Sequence, residues 1–288
     1  MLRFDLYSWI PKEYHKLLRK AEKIFSRLKC WPNIYSIYLK ADGQFGPIKF
    51  INTCVPDSIL MALYICCTQN IHIASLFNSF EKLRAPMVFL RARMYNEAKA
   101  SWLYWCNVTV TVDTENKYVT DAWSNPKDHL HMFDELIVSN NKLSPFERLG
   151  NVHALGISDL YPLLVLVEIN QTMDTAPPLY IDDNYHRTYE LQFLLMTRTS
   201  LPTHMIVGLN LFDRWILYDN SKLSIDNFNP KNADFRGDFT ILLIGYVNVA
   251  QDDHYREVPF ELPEEGHYGT IPFNLSHGSN NYKKEHSD

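Results

Sequence analysis

The chain has no C-x-x-C pair. Its five cysteines, at 30, 54, 66, 67 and 106, are odd in number and lack zinc-ligand spacing. That pattern argues against both a disulfide framework and a structural zinc site, so reduced thiols and no metal or cofactor are expected. No run approaches the roughly 18 apolar residues of a membrane span, and the start, Met1-Leu2-Arg3-Phe4-Asp5, lacks the basic segment and apolar core of a signal peptide. An intracellular protein, nuclear or cytoplasmic, is the expectation. Clustered Lys and Arg are also scarce, and the net charge of −5 leaves no electrostatic footprint for nucleic acid or an anionic membrane. Only ten glycines occur, beside a hydrophobic content of 46% and 14% aromatics, which describes a chain that buries a full core.

What is present is organised around Asn52-Thr53-Cys54-Val55-Pro56-Asp57-Ser58 and the apolar run Ile59 to Cys67 that follows. A run apolar on every side predicts a helix through the middle of a domain. Thr53 is its candidate N-cap, and Pro56 and Asp57 suit its first turn. Cys54 then sits at the helix N-terminus, where backbone N–H groups and the dipole favour a thiolate. The competing reading makes Cys54 one more small core residue.

Before this helix, Pro11 to Cys30 carries apolar residues at helical spacing, and its basic face (Lys16, Arg19, Lys20, Lys23, Arg27) reads as solvated. Residues 32–48, broken by Pro32, Gly43, Gly46 and Pro47, read as a short strand and loop. Helical patterns follow over 71–83, 86–105 and 129–138, with a β-leaning segment at 107–113. From about Leu160 the pattern switches to strands, over 163–169, 189–198, 205–211, 215–219 and 239–249. Helices first and strands second predict an α+β protein. We expect a single domain over 1–268, with a helical lobe to about 155 and a β lobe over about 156–268, and a polar tail over 269–288.

The β half holds a second constellation. Strands on either side of residues 211–214 form a predicted hairpin in which His204 and Asp219 lie nearly equidistant from the turn. Such a pair orients an imidazole as a general base, and with Cys54 it completes a nucleophilic site.

These two stretches resemble ubiquitin-specific proteases. His204, Trp215, Tyr218, Asp219 and Asn220 are similar to that family's C-terminal catalytic segment, in which a His opens one strand and a Trp the next. Cys54-x-x-Asp57-x-Ile59-Leu60-x-Ala62-Leu63 resembles the family's Cys box, closest to the SUMO isopeptidase branch. The resemblance implies a papain-like fold, with the cysteine helix packed on a C-terminal antiparallel sheet. It also implies a thiol isopeptidase acting on ubiquitin or SUMO conjugates, with a Cys54-His204-Asp219 triad. Where the family has an oxyanion-binding Asn five residues before the nucleophile, this chain has Lys49. Asn52, Gln44 and Asn220 are therefore the candidate amide donors. Gly266-His267-Tyr268 is a rival for the catalytic His, without the Trp and acidic pair that should follow it. Alternatives from the same residues are another Cys-His-Asp enzyme, such as an acyltransferase or transglutaminase-like enzyme, and an inactive module that binds a ubiquitin-like modifier.

Overall fold

The computed structural model describes residues 36–41 and 44–249, apart from 93, 110, 113, 115–117, 139–142, 158–161, 171, 223–224 and 236. The helix expected over Pro11 to Cys30, the rival His267 and the polar tail lie outside the described residues.

The central element is helix α1, Cys54–Gln69, in which all residues from Cys54 to Cys67 are buried. With no polar face to turn toward water, it packs on the sheet on one side and on the other helices elsewhere. Leu60 and Ile65 are fully buried, each contributing about 1.5–3 kcal/mol. Three helices follow: α2 (Ile71–Asn78), α3 (Glu81–Arg91) and α4 (Tyr95–Trp105). The breaks differ from those the sequence predicts. Asn70 starts α2 by accepting hydrogen bonds from the N–H groups of His72 and Ile73, at 2.9 and 3.1 Å. Pro86, the first residue of the helical pattern expected over 86–105, lies inside α3 instead. The segment expected as a helix over 129–138 is a 3-10 helix, Pro126–Leu136, and a short α5 spans Ser144–Glu147.

The large sheet is antiparallel. It comprises β5 (Asn151–Leu155), β6 (Leu164–Glu168), β7 (Tyr180–Asp182), β8 (Thr188–Arg198), β9 (Leu201–Leu211), β10 (Arg214–Tyr218), β11 (Asp226–Asn227) and β12 (Phe239–Asn248). Its order is β11-β10-β9-β8-β12-β6-β5, with β7 paired to β8. Both faces are buried, which is why β6 reads as an unbroken apolar run: Leu164 and Leu166 join the core around α1, and Val165 and Val167 a second core on the far side. In β9, Val207 and Leu209 face the helix core, and Ile206 the other. Gly245 of β12 leaves no room for a Cβ beneath the Phe193 ring.

The amino-terminal half is less purely helical than expected. A second sheet, ordered β1-β2-β4-β3, is formed by β1 (Ser36–Ala41), β2 (Gln44–Ile51), β3 (Thr111–Val112) and β4 (Tyr118–Asp121), and β5 also falls before residue 156. The stretch read as strand and loop is thus a hairpin, and β2 runs parallel to β4 into the cysteine helix. Among the described residues no single helix is long and apolar enough to cross a membrane.

Candidate active site

Strand β2 ends at Ile51 and α1 begins at Cys54, so the chain reverses character within two residues. Asn52 makes this possible with φ of 55°, a left-handed conformation that Asn tolerates better than most side chains. Thr53 is the N-cap residue as expected, but its hydroxyl does not cap the backbone. It donates instead to Asp57 Oδ2 at 2.7 Å. The first intrahelical bond runs from Asp57 N–H to Thr53 O at 2.9 Å, and Pro56 has no N–H. The Cys54 N–H, at the first helical position, has no partner within the helix and points out of its end.

The structure brings Cys54, His204 and Asp219 together. His204 Nε2 donates to Asp219 Oδ1 at 2.8 Å. The Cys54 sulfur is hydrogen-bonded to the same imidazole, leaving Nδ1 as the nitrogen toward the thiol, and it also receives the backbone N–H groups of Met205 and Val55. Asp219 Oδ1 accepts further from Ser221 Oγ at 2.6 Å and Ser221 N–H at 3.0 Å.

The charges follow from these contacts. Burial acts to raise the Cys54 thiol, yet the His204 hydrogen bond and charge and the two backbone N–H groups together bring it below its ordinary value of 9.0. His204 is raised to about 9, first by its hydrogen bond to Asp219 and then by the one to Cys54, against the opposing effect of burial. Burial likewise acts to raise Asp219, but hydrogen bonds from His204 and Ser221 hold it well below the usual carboxylate range. A lowered thiol beside a raised imidazole favours proton transfer from sulfur to ring, toward a thiolate–imidazolium pair.

A second cysteine–histidine contact shows what the first is not. Cys106 Sγ lies 3.3 Å from His129 Nδ1, which also accepts from Trp102 Nε1–H at 3.0 Å. Ser124 Oγ lies 2.8 Å from His129 Nε2 and donates its own proton to Ala122 O, so Nε2 carries the hydrogen. Burial pushes Cys106 up to about 12 and His129 down to about 4. Both groups are neutral near pH 7, and this cluster is packing. Cys66 and Cys67 are buried in α1 with thiols driven upward by desolvation, and they too are core residues.

The three amide candidates are placed differently. Gln44 begins β2, seven extended steps or about 23 Å of strand from Ile51, so its backbone lies at the end of β2 far from Cys54. Asn52 is exposed and its Nδ2 donates to Asp121 Oδ1 at 2.9 Å. Asn220 Nδ2 donates to Asp57 Oδ2 at 2.8 Å. The donor the structure does provide at the thiol is the helix-start backbone.

The sequence reading missed the environment of Asp57. It is fully buried, as is Lys99 of α4 at 2% exposure, and the Lys99 ammonium lies 2.9 Å from Oδ1 and 3.2 Å from Oδ2. Suiting the helix dipole is therefore the smaller part of what Asp57 does. A carboxylate embedded in an all-apolar helix demands a cation, and that rule pointed to a buried Lys or Arg without saying which. Gln69, at the other end of α1, was also unforeseen: its Oε1 accepts from Phe212 N–H at 2.7 Å and its Nε2 donates to Asn210 O at 2.8 Å. Among the described residues no cluster of His, Cys, Asp and Glu has the makings of a metal site. No protein-family model matches the chain, and no curated protein matches it.

Proposed function

We propose that the chain is a thiol isopeptidase of papain-like fold that removes ubiquitin-like modifiers, ubiquitin or SUMO, from lysine side chains. The observation that carries this reading is the continuous contact Cys54–His204–Asp219 at the start of a buried helix, with thiol and imidazole shifted toward their charged forms. The likeness of Cys54 to Leu63 and of Thr203 to Ser221 to the ubiquitin-specific proteases supplies the substrate class.

In this mechanism the Cys54 thiolate attacks the carbonyl carbon of the modifier's terminal glycine, forming a C–S bond and an oxyanion that the Cys54 backbone N–H stabilises. The imidazolium of His204 gives its proton to the lysine nitrogen as the C–N bond breaks, and the free amine leaves a thioester. Neutral His204 then takes a proton from water as the hydroxyl adds to the thioester carbon. Collapse of this second adduct expels the thiolate and releases the carboxylic acid, which gives its proton to solvent, while His204 stays protonated. Asp219 fixes the ring so that Nδ1 faces the sulfur throughout.

The test is labelling with ubiquitin and SUMO bearing a carboxy-terminal propargylamide, comparing the native chain with Cys54→Ala. Labelling by one modifier that disappears in the variant supports the reading. Labelling by neither, with Cys54 still alkylated by iodoacetamide at neutral pH, moves the chain to another Cys-His-Asp acyl transfer.

A further inference from the structure

Asn220 follows Asp219 directly in sequence, yet its side chain turns to the cysteine helix and donates to Asp57 Oδ2 at 2.8 Å. Asp57 in turn stands three residues after Cys54. The contacts therefore close on themselves: Cys54, one helical turn to Asp57, a hydrogen bond to Asn220, a peptide bond to Asp219, then His204 and back to the sulfur. We propose that Asp57, Lys99 and Asn220 form a clasp that sets the distance between the Cys54 thiol and the His204 ring, making all three positioning residues for the thiol chemistry.

The argument rests on what a buried ion pair achieves. Removing two charges from water offsets most of their mutual attraction, so apolar residues of the same volume hold helices together at least as well. Asp57 and Lys99 are therefore poorly explained as a stabilising contact between α1 and α4. What apolar residues lack is a directed acceptor, and here Asp57 Oδ2 takes three donors from three parts of the chain: Thr53 Oγ1 at 2.7 Å, Lys99 Nζ at 3.2 Å and Asn220 Nδ2 at 2.8 Å. Lys99 also reaches Thr53 Oγ1 at 3.2 Å, which binds the residue before the nucleophile into the same cluster. The charged and titratable groups facing Asp57 are Lys99 from α4 and Tyr218 from β10, whose phenol burial first, and then the Asp57 charge, push well up.

Asn220 is thereby assigned a different task from oxyanion binding, since an Nδ2–H held on a buried carboxylate is spent. The two roles separate in a swap. Asn220→Asp alone sets two carboxylates against each other, whereas Asp57→Asn with Asn220→Asp restores one amide, one carboxylate and the neighbouring lysine with the roles exchanged. An aspartate cannot donate to an oxyanion.

This inference rests on Cys54 being the activated thiol but not on the modifier as substrate, so the primary readout is the pH profile of Cys54 alkylation by iodoacetamide. Expected is a shift of that profile to higher pH in Asn220→Ala and Asn220→Asp and its return in the swap. With a modifier probe that labels the native chain, kcat should fall by up to about 10²-fold in the single variants at little-changed KM, as misplacement of about 1 Å produces. An Asn220→Ala chain with the native alkylation profile overturns the proposal, whether or not any ubiquitin-like probe reacts. A swap that folds yet leaves the profile displaced overturns it too. Failure of the probes alone, with the alkylation shifts present, removes the isopeptidase reading and leaves the clasp standing.

Discussion

His204 and Asp219 meet at 2.8 Å although they are not opposite one another across the hairpin. The β9–β10 ladder ends at the pair Tyr218–Val207, and one step beyond it Asp219 stands level with Ile206, two residues from His204 along β9. Imidazole and carboxylate are thus diagonal neighbours, within reach for a long side chain. Past the end of the strand the chain turns, with Lys222 N–H bonded to Asp219 O, and Ser221 within that turn donates twice to the Asp219 carboxylate.

Replacing Cys54 by Ala is expected to abolish probe labelling and turnover. The stability cost is about 1–2 kcal/mol, because one small side chain at the end of an element is lost. Cys66→Ala and Cys67→Ala, at the helix core, should retain turnover and lower the denaturation midpoint more. Urea unfolding and probe labelling on the three variants check both halves.

The pH dependence of kcat/KM should be a bell. It rises from the acid side as the Cys54 thiol ionises below 9.0, and falls as His204 loses its proton near about 9. Asp219→Asn removes the largest contribution raising His204, so the alkaline limb should move down toward 6.5 and turnover drop sharply. The stability linked to His204 has the matching sign: fully present below 6.5 and lost as pH rises through about 9. An alkaline limb unmoved in the variant would detach Asp219 from the ring.

His129→Phe should leave kcat and KM unchanged and cost about 1–3 kcal/mol, since Trp102 Nε1–H loses its acceptor at 3.0 Å and Ser124 its donor. Steady-state kinetics beside thermal unfolding separate this packing histidine from His204.

Phe212 and Asp213, the two central residues of the hairpin turn, have φ of 52° and 64°. Positive φ at both positions is what a type I′ turn requires and what glycine accepts without strain. Asp213→Gly should stabilise the chain by up to about 1 kcal/mol, read as a higher unfolding midpoint with an unchanged pH profile.

The cysteine helix was legible because every position from Ile59 to Cys67 is apolar, and the strands of the large sheet because both its faces are buried. The hairpin pair was legible because antiparallel pairing turns a sequence distance into a spatial one. The first sheet was not, since Gly46 and Pro47 look like breakers. Pro47 is tolerated in this sheet where, among the described residues, β4 joins β2 from Ile48 onward and the proline's partner is Tyr38 of β1. Lys99 was invisible for another reason: Ala98-Lys99-Ala100 is an ordinary helical triplet until the carboxylate 42 positions earlier is seen to be buried.

Sequence separation also fixes when the chemistry begins. Asn220 lies 163 positions after the Asp57 it binds, and Asp219 follows His204 by 15. A growing chain makes its thiol first and the groups that contact it much later, and contacts of such span form late in folding. Until then Cys54 has the reactivity of an ordinary cysteine. On the proposed mechanism, reactivity of this thiol is therefore a reporter of completed folding: a nascent or misfolded copy carries Cys54 without the partners that shift its ionisation.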